Sequence, residues 1–292
     1  MYRDEYWREP PFRAEIVSAV LPIRRFSKPF EAGYFYHIML AAYSPALLIR
    51  GYLQLVTKAV SGVFSRPWRI QETFYQMDLI GSGSVPLILV AGIATGMALT
   101  IQGAYQLAPI GAVHQVSKLI SLTFVREVGP VLTAIMITGR VGSAIAAELA
   151  SMKATEQVDA IRAMGIDPIK ALITPRLIAC VLMVPILTIL LDAAAMAGGW
   201  LISILYLGRD PLFHWVLSAS VLHWSDIALG LGKPVVSGFI LATVAGYVGF
   251  TVAGGLGAIG RAATTGMIAA SLLILAFDVL ITMIVPLQTL AW

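Results

Sequence analysis

The chain alternates between long apolar segments and short polar connections. Five of the apolar segments exceed the roughly 20 residues that an α-helix needs to cross the hydrocarbon core of a bilayer. The pattern therefore predicts an all-α integral membrane fold with five transmembrane helices, at about residues 82–108, 117–152, 171–206, 226–252 and 264–290.

The apolar stretch at 34–64 differs from these five because Pro45, Arg50 and Lys58 interrupt it. Aromatic residues and bases flank its apolar positions, as in helices that lie in the membrane interface. We interpret it as an interfacial amphipathic helix, with a poor transmembrane span as the alternative. The expected regions are a polar N-terminal extension, the interfacial helix region and the membrane domain, at 1–33, 34–78 and 79–292.

Composition and charge support a membrane location and suggest an orientation. The chain is 58% hydrophobic and 12% charged, whereas soluble domains carry about 25% charged residues. Lys and Arg favour cytoplasmic loops, so we place the N-terminus in the cytoplasm and the C-terminus outside. Fifteen bases then lie inside, namely the ten before position 70 together with Lys153, Arg162, Lys170, Arg176 and Arg261. Three lie outside, namely Lys118, Arg209 and Lys233.

Between the second and third segments, residues 154–164 predict a short amphipathic helix. About 11 residues at 1.5 Å each give roughly 16 Å, which is too short to cross the membrane. Ala154, Val158 and Ile161 form one apolar stripe, and Gly165 suits the C-terminal cap. These residues leave two interpretations open: an ordinary connection, or a docking surface for a cytoplasmic partner.

Residues 122–176 carry the motifs REVGP, GR-G-S-A-AE, TEQ-DA and MG-DP in that order. This series closely resembles the signature of MlaE-family permeases, the membrane subunits of ABC lipid transporters that work with MCE proteins. The resemblance extends from about residue 80 to the C-terminus and includes GRAAT at 260–264 and the surroundings of Asp278. Residues 1–30 look like an addition outside the family pattern.

The resemblance implies a division of roles among subunits. Two copies of the permease would enclose a lipid cavity, separate ATPase subunits would bind ATP, and an MCE-domain protein would exchange lipid on the outer side. The helix at 154–164 would be the coupling helix that docks on the ATPase. That role is implied for Glu156, Gln157, Asp159 and Arg162.

The second segment is too long to cross the membrane as a straight perpendicular helix. Its 36 residues would span roughly 54 Å, against a hydrocarbon core of about 30 Å. A kink is expected at Gly129-Pro130. Arg140 and Glu148, on its inner half, are expected to snorkel or to pack against the partner subunit.

Charged residues within the spans predict a polar layer. Measured from the expected outer helix ends, Glu127 lies about 15 Å deep, Lys233 about 12 Å and Asp278 about 18 Å. Such residues usually face a bundle interior or a wet cavity. A structural ion-pair cluster and a layer beneath a lipid cavity are both compatible with this. The resemblance favours the second and adds Arg126, whereas Asp192 matches no family pattern.

The first segment carries two features of interest, a pair of glycines and a group of candidate pocket-lining residues. The Gly92-x-x-x-Gly96 pattern permits close helix approach, and a contact between two copies of the chain is one candidate use. Plausible pocket-lining residues follow on the same segment, with ordinary helix packing as the alternative: Met97, Ile101, Gln102 and Tyr105.

Several kinds of site have no motif in this chain. The P-loop pattern GxxxxGK[ST] does not occur, and the GxGxxG match at 255–260 lacks the strand of a βαβ unit. The four histidines and the single Cys180 lack metal-ligand spacing. We therefore expect no catalytic residue, metal or cofactor here, and ATP bound only by a partner subunit.

The expected function is that of a permease subunit in an ATP-driven lipid transporter of the inner membrane, with phospholipid as the expected substrate. Nucleic acid is not an expected partner. The alternative is a secondary transporter driven by an ion gradient through Glu127, Lys233 and Asp278. Such transporters often carry internal repeats, and none is visible here. An intramembrane enzyme has no supporting motif.

Overall fold

The structure is a computed structural model, which describes residues 45–65, 69–251 and 256–284. Within these ranges every regular element is helical and no strand occurs. The α-helices described there are α1 Pro45–Phe64, α2 Ile70–Leu107, α3 Val116–Thr123, α4 Gly129–Ile137, α5 Ser143–Ala154, α6 Gln157–Ala163, α7 Thr174–Leu205, α8 Pro211–Val221, α9 Trp224–Thr251 and α10 Leu256–Ile284.

Five stretches of the described chain are helices long and apolar enough to cross a membrane. They are Ile70–Ile110, Val113–Ala154, Ile169–Leu205, Trp224–Thr251 and Ile259–Ile284, which we number as spans one to five. The predicted fold class, an all-α membrane protein with five spans, is confirmed.

The helix of span one is longer than its apolar segment. It begins at Ile70, well before the predicted start near residue 82. Its first turns carry Glu72 and Asp78, so hydropathy does not mark them as membrane-embedded. Backbone hydrogen bonding continues through these polar turns. Apolarity therefore identifies the part of the helix suited to hydrocarbon, and the helix itself extends further.

Span two contains an irregular turn at the expected kink. A π-helical turn, Phe124–Val128, immediately precedes Gly129 and Pro130 at the start of α4. The N–H of Gly129 donates to the carbonyl oxygen of Phe124, five residues earlier, and Pro130 has no N–H to donate. Such turns occur frequently at functional sites.

Glycines bring α2 and α7 into close contact. A Cβ atom at Gly92 would lie 2.7 Å from the carbonyl oxygen of Leu191, and one at Gly96 would overlap the backbone of Ala195. The Gly92-x-x-x-Gly96 face is therefore occupied within one chain. Its expected use as a contact between two copies is wrong, because α7 already fills the close approach that these glycines permit.

The chain divides into two units, Met1–Gly51 and Tyr52–Trp292, and the extension predicted at 1–33 lies outside the described residues. In the second unit, the Tyr52 hydroxyl lies 2.8 Å from Oγ1 of Thr243 on α9. The Thr174 hydroxyl of α7 donates to the carbonyl oxygen of Ala59 at 3.1 Å. This part of α1 is thus fixed to the spans, and its place in the membrane interface stays a prediction.

Candidate functional site

Three ionisable side chains from three spans meet around Lys233. Its Nζ atom lies 2.6 Å from Oε2 of Glu127 and 3.2 Å from Oδ1 of Asp278. It also donates to the Thr282 hydroxyl at 2.9 Å, so each of its three hydrogens has an acceptor. The shared layer predicted from the depths of these residues is therefore a direct contact, which we call the Lys233 cluster.

Burial within the Lys233 cluster is uneven. The side chain of Lys233 is 3% exposed, that of Asp278 13% and that of Glu127 44%. A buried ammonium group without such partners would carry a large desolvation penalty. Two carboxylates around one ammonium leave an excess of one negative charge when all are ionised. Glu127 is the most exposed of the three side chains, so it is the member of the cluster most accessible to a ligand.

Arg126 belongs to a second ion pair. Its Nε donates to Oδ1 of Asp226 at 2.7 Å, and its Nη2 lies 2.5 Å from the same oxygen. The other oxygen of the fully buried Asp226 accepts the backbone N–H of His223 at 2.9 Å. Arg126 is therefore next to the Lys233 cluster along the chain, but its charge is paired separately.

Sequence reasoning missed Asp226. Asp226 lies in the first turn of α9, where an acid is common because it interacts favourably with the helix dipole. The available signal was its spacing from Lys233. The two residues are seven positions apart, which is close to two helical turns and places them on one face of α9.

The four predicted lining residues lie on α2, where Met97 and Ile101 are half-buried and Gln102 and Tyr105 are exposed. The Tyr105 hydroxyl lies 3.4 Å from that of Tyr206, just after α7. Among the described residues, the Lys233 cluster is formed by spans two, four and five without a contribution from α2. A lining role for these four residues stays a prediction.

The helix between spans two and three is shorter than predicted. α6 comprises Gln157–Ala163 instead of 154–164. The preceding helix ends at Ala154, and Glu156 has a left-handed backbone with φ of 59°, which interrupts the helix between the two elements. Gly165, with φ of 78°, follows the helix as the expected C-terminal glycine.

α6 presents a polar surface and is anchored by few apolar contacts. Of the predicted stripe, Val158 is buried and Ile161 is half-buried, whereas Ala154 is exposed and is the last residue of α5. Met164, which the sequence analysis did not single out, is 67% exposed. The four residues implied in ATPase coupling are all exposed: Glu156, Gln157, Asp159 and Arg162.

Two contacts join the span ends around α6. Nζ of Lys153 donates at 2.5 Å to the carbonyl oxygen of Phe250, near the C-terminal end of α9. Arg176 of α7 pairs with Glu148 of α5 at 2.8 Å. The short helix thus begins four residues after a lysine that is bonded to span four.

Three further charged residues that the sequence analysis singled out in the spans also lie against neighbours in the same chain. Arg140 donates to the Ser84 hydroxyl of α2 at 2.7 Å, and Glu148 has Arg176 as its partner, so neither depends on snorkelling for a polar contact. Asp192 lies against Gly129, and its Oδ1 is buried without a hydrogen-bond partner.

These features define a polytopic α-helical membrane protein with an ionic cluster between its spans and an exposed polar helix in one connection. The family model described as Permease MlaE matches residues 73–284. This match covers most of the chain, including the Lys233 cluster, Asp226 and α6. The chain therefore belongs to the MlaE permease family.

Named relatives agree with this assignment. A probable ABC transporter permease protein of Rickettsia typhi is 34% identical over 224 residues, which are 77% of this chain and 86% of the relative. The intermembrane phospholipid transport system permease protein MlaE of Haemophilus influenzae is 35% identical over 210 residues, 72% and 80% of the two chains. The chloroplastic protein TRIGALACTOSYLDIACYLGLYCEROL 1 of Arabidopsis thaliana is 34% identical over 215 residues, 74% and 60%. The family resemblance found in the motifs is confirmed.

Proposed function

We propose that this chain is the permease subunit of an ATP-driven transporter whose substrate is phospholipid. The family match over residues 73–284 carries the proposal, because it contains both the Lys233 cluster and α6. The name of the Haemophilus influenzae relative, which specifies intermembrane phospholipid transport, supports the choice of substrate.

In this proposal the Lys233 cluster forms the polar floor of a lipid cavity. Glu127 is 44% exposed and contacts or gates the polar headgroup, while Lys233 and Asp278 hold it in place. Arg126, whose charge is paired with Asp226, lies next to Glu127 on the same turn. The acyl chains lie against apolar surface that includes the candidate lining residues of α2.

Energy coupling is assigned to α6. Its exposed polar residues are available to a separate ATPase subunit, which binds the ATP. Movement of α6 reaches the spans through the buried Val158 and through the hydrogen bond from Lys153 to Phe250. α9, which receives that bond near one end, also carries Lys233, so docking and the Lys233 cluster act on the same helix.

The proposed assembly contains two copies of the permease, ATPase subunits on the cytoplasmic side and an MCE-domain protein on the outer side of the inner membrane. The distribution of Lys and Arg supports a cytoplasmic N-terminus and an outer C-terminus. The permease itself carries out no covalent chemistry and converts ATP hydrolysis by its partner into opening and closing of the cavity.

A secondary transporter driven by an ion gradient is the second candidate. The observation that favours it is the direct contact of two acids with Lys233 inside the spans, an arrangement that proton relays also use. The two functions differ in their energy source, and transport measurements can therefore distinguish them.

Purification from native membranes in mild detergent, followed by mass spectrometry, tests the proposed assembly. An ATPase subunit, an MCE-domain protein and phospholipid are expected to accompany the chain. Arg162→Glu on α6 should lose the ATPase and keep the other two, whereas the matched reversal Lys58→Glu, at an exposed position of α1, should keep all three. A chain that purifies alone and stable from several detergents would count against the proposal.

A further inference from the structure

α8 has the reverse of the polarity pattern expected for a helix on a water-exposed surface. Two of its three polar residues, His214 and Ser218, are turned inward at 1% and 0% exposure, and only Ser220, near its end, is exposed. Nδ1 of His214 lies 2.9 Å from Oγ of Ser117 and 3.1 Å from Oγ of Ser203. Polar contacts therefore fix this helix to α3 and α7.

The outward face of α8 is apolar. Leu212 is 69% exposed, Val216 59% and Trp215 41%, and residues 211–221 contain no charged side chain. A surface helix in water normally places its polar residues outward. Leaving apolar area in water forgoes about 25 cal/mol per Å² of favourable transfer free energy. Such a face is suited to a hydrocarbon environment.

The position of α8 in the chain brings this face to the edge of the membrane. Its 11 residues extend for about 16 Å, which is too short to cross. It connects the end of span three to the start of span four. The apolar surface continues at both span ends, where Leu205, Tyr206 and Trp224 are 73%, 64% and 86% exposed. Tyr and Trp are enriched at membrane–water boundaries.

Charged groups are confined to the beginning of α8. Asp210 caps the helix by accepting the N–H of Leu212 at 2.8 Å. The guanidinium carbon of Arg209 lies 5.4 Å from the centroid of the Phe213 ring, which is within the range of a cation–π interaction. The helix thus has a charged end suited to water or headgroups and an uncharged body.

We infer that α8 is embedded in the bilayer at the boundary between headgroups and acyl chains, on the side where span three ends. Acyl chains of phospholipids cover Leu212, Trp215 and Val216. Lipid fits this face better than a protein partner, because the face is continuous with the apolar ends of two spans and residues 211–221 carry no charged side chain. The inference rests on the membrane-spanning fold alone and is independent of the transport activity.

Spin labelling of the full-length protein tests this position. A Cys180→Ala background removes the single cysteine, and one label is placed at Val216→Cys. A control label at Gln157→Cys lies on the exposed polar helix α6. In vesicles of phosphatidylcholine and phosphatidylglycerol, the label at 216 should collide mainly with O₂, which concentrates in lipid. The label at 157 should collide mainly with a water-soluble nickel chelate.

Two outcomes would overturn the inference. A label at 216 that is as accessible to the nickel chelate as the label at 157 would place α8 in water. A label shielded from both reagents would indicate that protein covers this face. If the Val216→Cys protein does not fold, quenching of tryptophan fluorescence by brominated phosphatidylcholine can be compared between the parent and Trp215→Phe. The parent should be quenched more, and equal quenching would contradict the inference.

Discussion

Lys233 shows how a charged side chain is accommodated between membrane spans. Its Nζ atom contacts Glu127, Asp278 and Thr282, so no donor is left without an acceptor. The partners come from spans two and five, while Lys233 belongs to span four. The same contacts that lower the cost of burying the ammonium group therefore also join three helices. Any change in their packing alters the environment of Glu127.

Glu127→Gln should reduce phospholipid transport by about tenfold or more while the protein still folds. The amide keeps the shape of the side chain and can still accept a hydrogen bond from Lys233, but it removes the negative charge from the ion pair. Transport and ATPase rates of the reconstituted complex provide the measurement. Glu72→Gln, on the first turns of α2, is the control and should behave like the parent. Full transport and normal ATPase coupling in Glu127→Ala would remove Glu127 from the site.

His214 should make the stability of the protein depend on pH. Burial lowers the pKa of this histidine, and this outweighs the opposing effect of a hydrogen bond with the Met196 backbone. A depressed pKa in the folded state means that folding favours the neutral imidazole. The contribution to stability is therefore complete above the unfolded pKa, near 6.5, and is lost as the pH falls below it. His114 and Arg209 line the same small cavity as His214.

Thermal unfolding in detergent between about pH 7.5 and pH 5.5 checks this dependence. The parent should lose stability toward acidic pH, and His214→Gln should show a flatter profile. His223→Gln is the control, because its side chain is 78% exposed, and it should keep the slope of the parent. An unchanged slope in His214→Gln would contradict the assignment.

Among the elements, α5, α6 and α9 provide a connection from the exposed surface to the Lys233 cluster. Lys153 donates a hydrogen bond to the carbonyl oxygen of Phe250. This carbonyl is one of the last in α9, and the last carbonyls of a helix have no hydrogen-bond partner within the helix. The left-handed backbone conformation of Glu156 ends the helical run after α5, so α6 is a separate helix. A force applied to α6 would therefore act at the turn around Glu156, next to the end of α5 that Lys153 joins to α9.

Lys153→Met should lower the amount of lipid moved per ATP hydrolysed. The substitution keeps an apolar stem of similar length but cannot donate to Phe250, so α6 and α9 are less firmly connected. ATP hydrolysis by the partner should continue, because the exposed residues of α6 are unchanged. Lys170→Met, in the same connection, is the matched control. If both variants lose transport and ATP hydrolysis equally, Lys153 has no specific part in transmission.

The extent to which the sequence predicts these elements depends on the range of the interactions involved. Hydropathy predicts the five spans, because crossing a bilayer requires a continuous apolar stretch. Depth along the helices also predicts that Glu127, Lys233 and Asp278 share a layer. Helix ends, turns and side-chain pairings instead depend on backbone hydrogen bonds and tertiary contacts. The polar start of α2 and the π turn before Gly129 depend on backbone hydrogen bonds that hydropathy does not report.

Other features require knowledge of the tertiary contacts. The partner of Arg126 could not be chosen from the sequence, because Asp226 is 100 residues away and other acids, such as Asp192 and Asp278, also lie far along the chain. The left-handed turn at Glu156 is unusual for a residue with a Cβ atom, and nothing local predicts it. α8 was absent from the prediction because it is too short to register as a span and too apolar to resemble a surface helix.

At the scale of the whole molecule, α2 and α7 form the most closely packed pair in the described chain. Gly96→Ala should destabilise the protein by about 1–3 kcal/mol, because its Cβ would meet the backbone of Ala195 and overpacking costs energy of this order. Gly260→Ala on α10 is the control, since no atom lies within 4 Å of the added Cβ. Thermal unfolding in detergent compares them. Equal stability of the two variants would contradict the close packing.

Across the molecule, α6 and the Lys233 cluster are connected by helices that run between the two sides of the membrane. This arrangement suits a protein that receives mechanical energy at one surface and changes a cavity elsewhere. A gradient-driven transporter would instead load and release ions at the Lys233 cluster itself. The energy source is therefore the property that separates the two functions most clearly.

The most direct measurement is transport of a labelled phospholipid by the purified complex in proteoliposomes, with ATP and the proton gradient varied independently. We predict transport that requires hydrolysable ATP and continues after an ionophore has collapsed the gradient. Transport driven by the gradient in the absence of ATP, and unaffected by adding ATP, would contradict the assignment of this chain as an ABC permease for phospholipid.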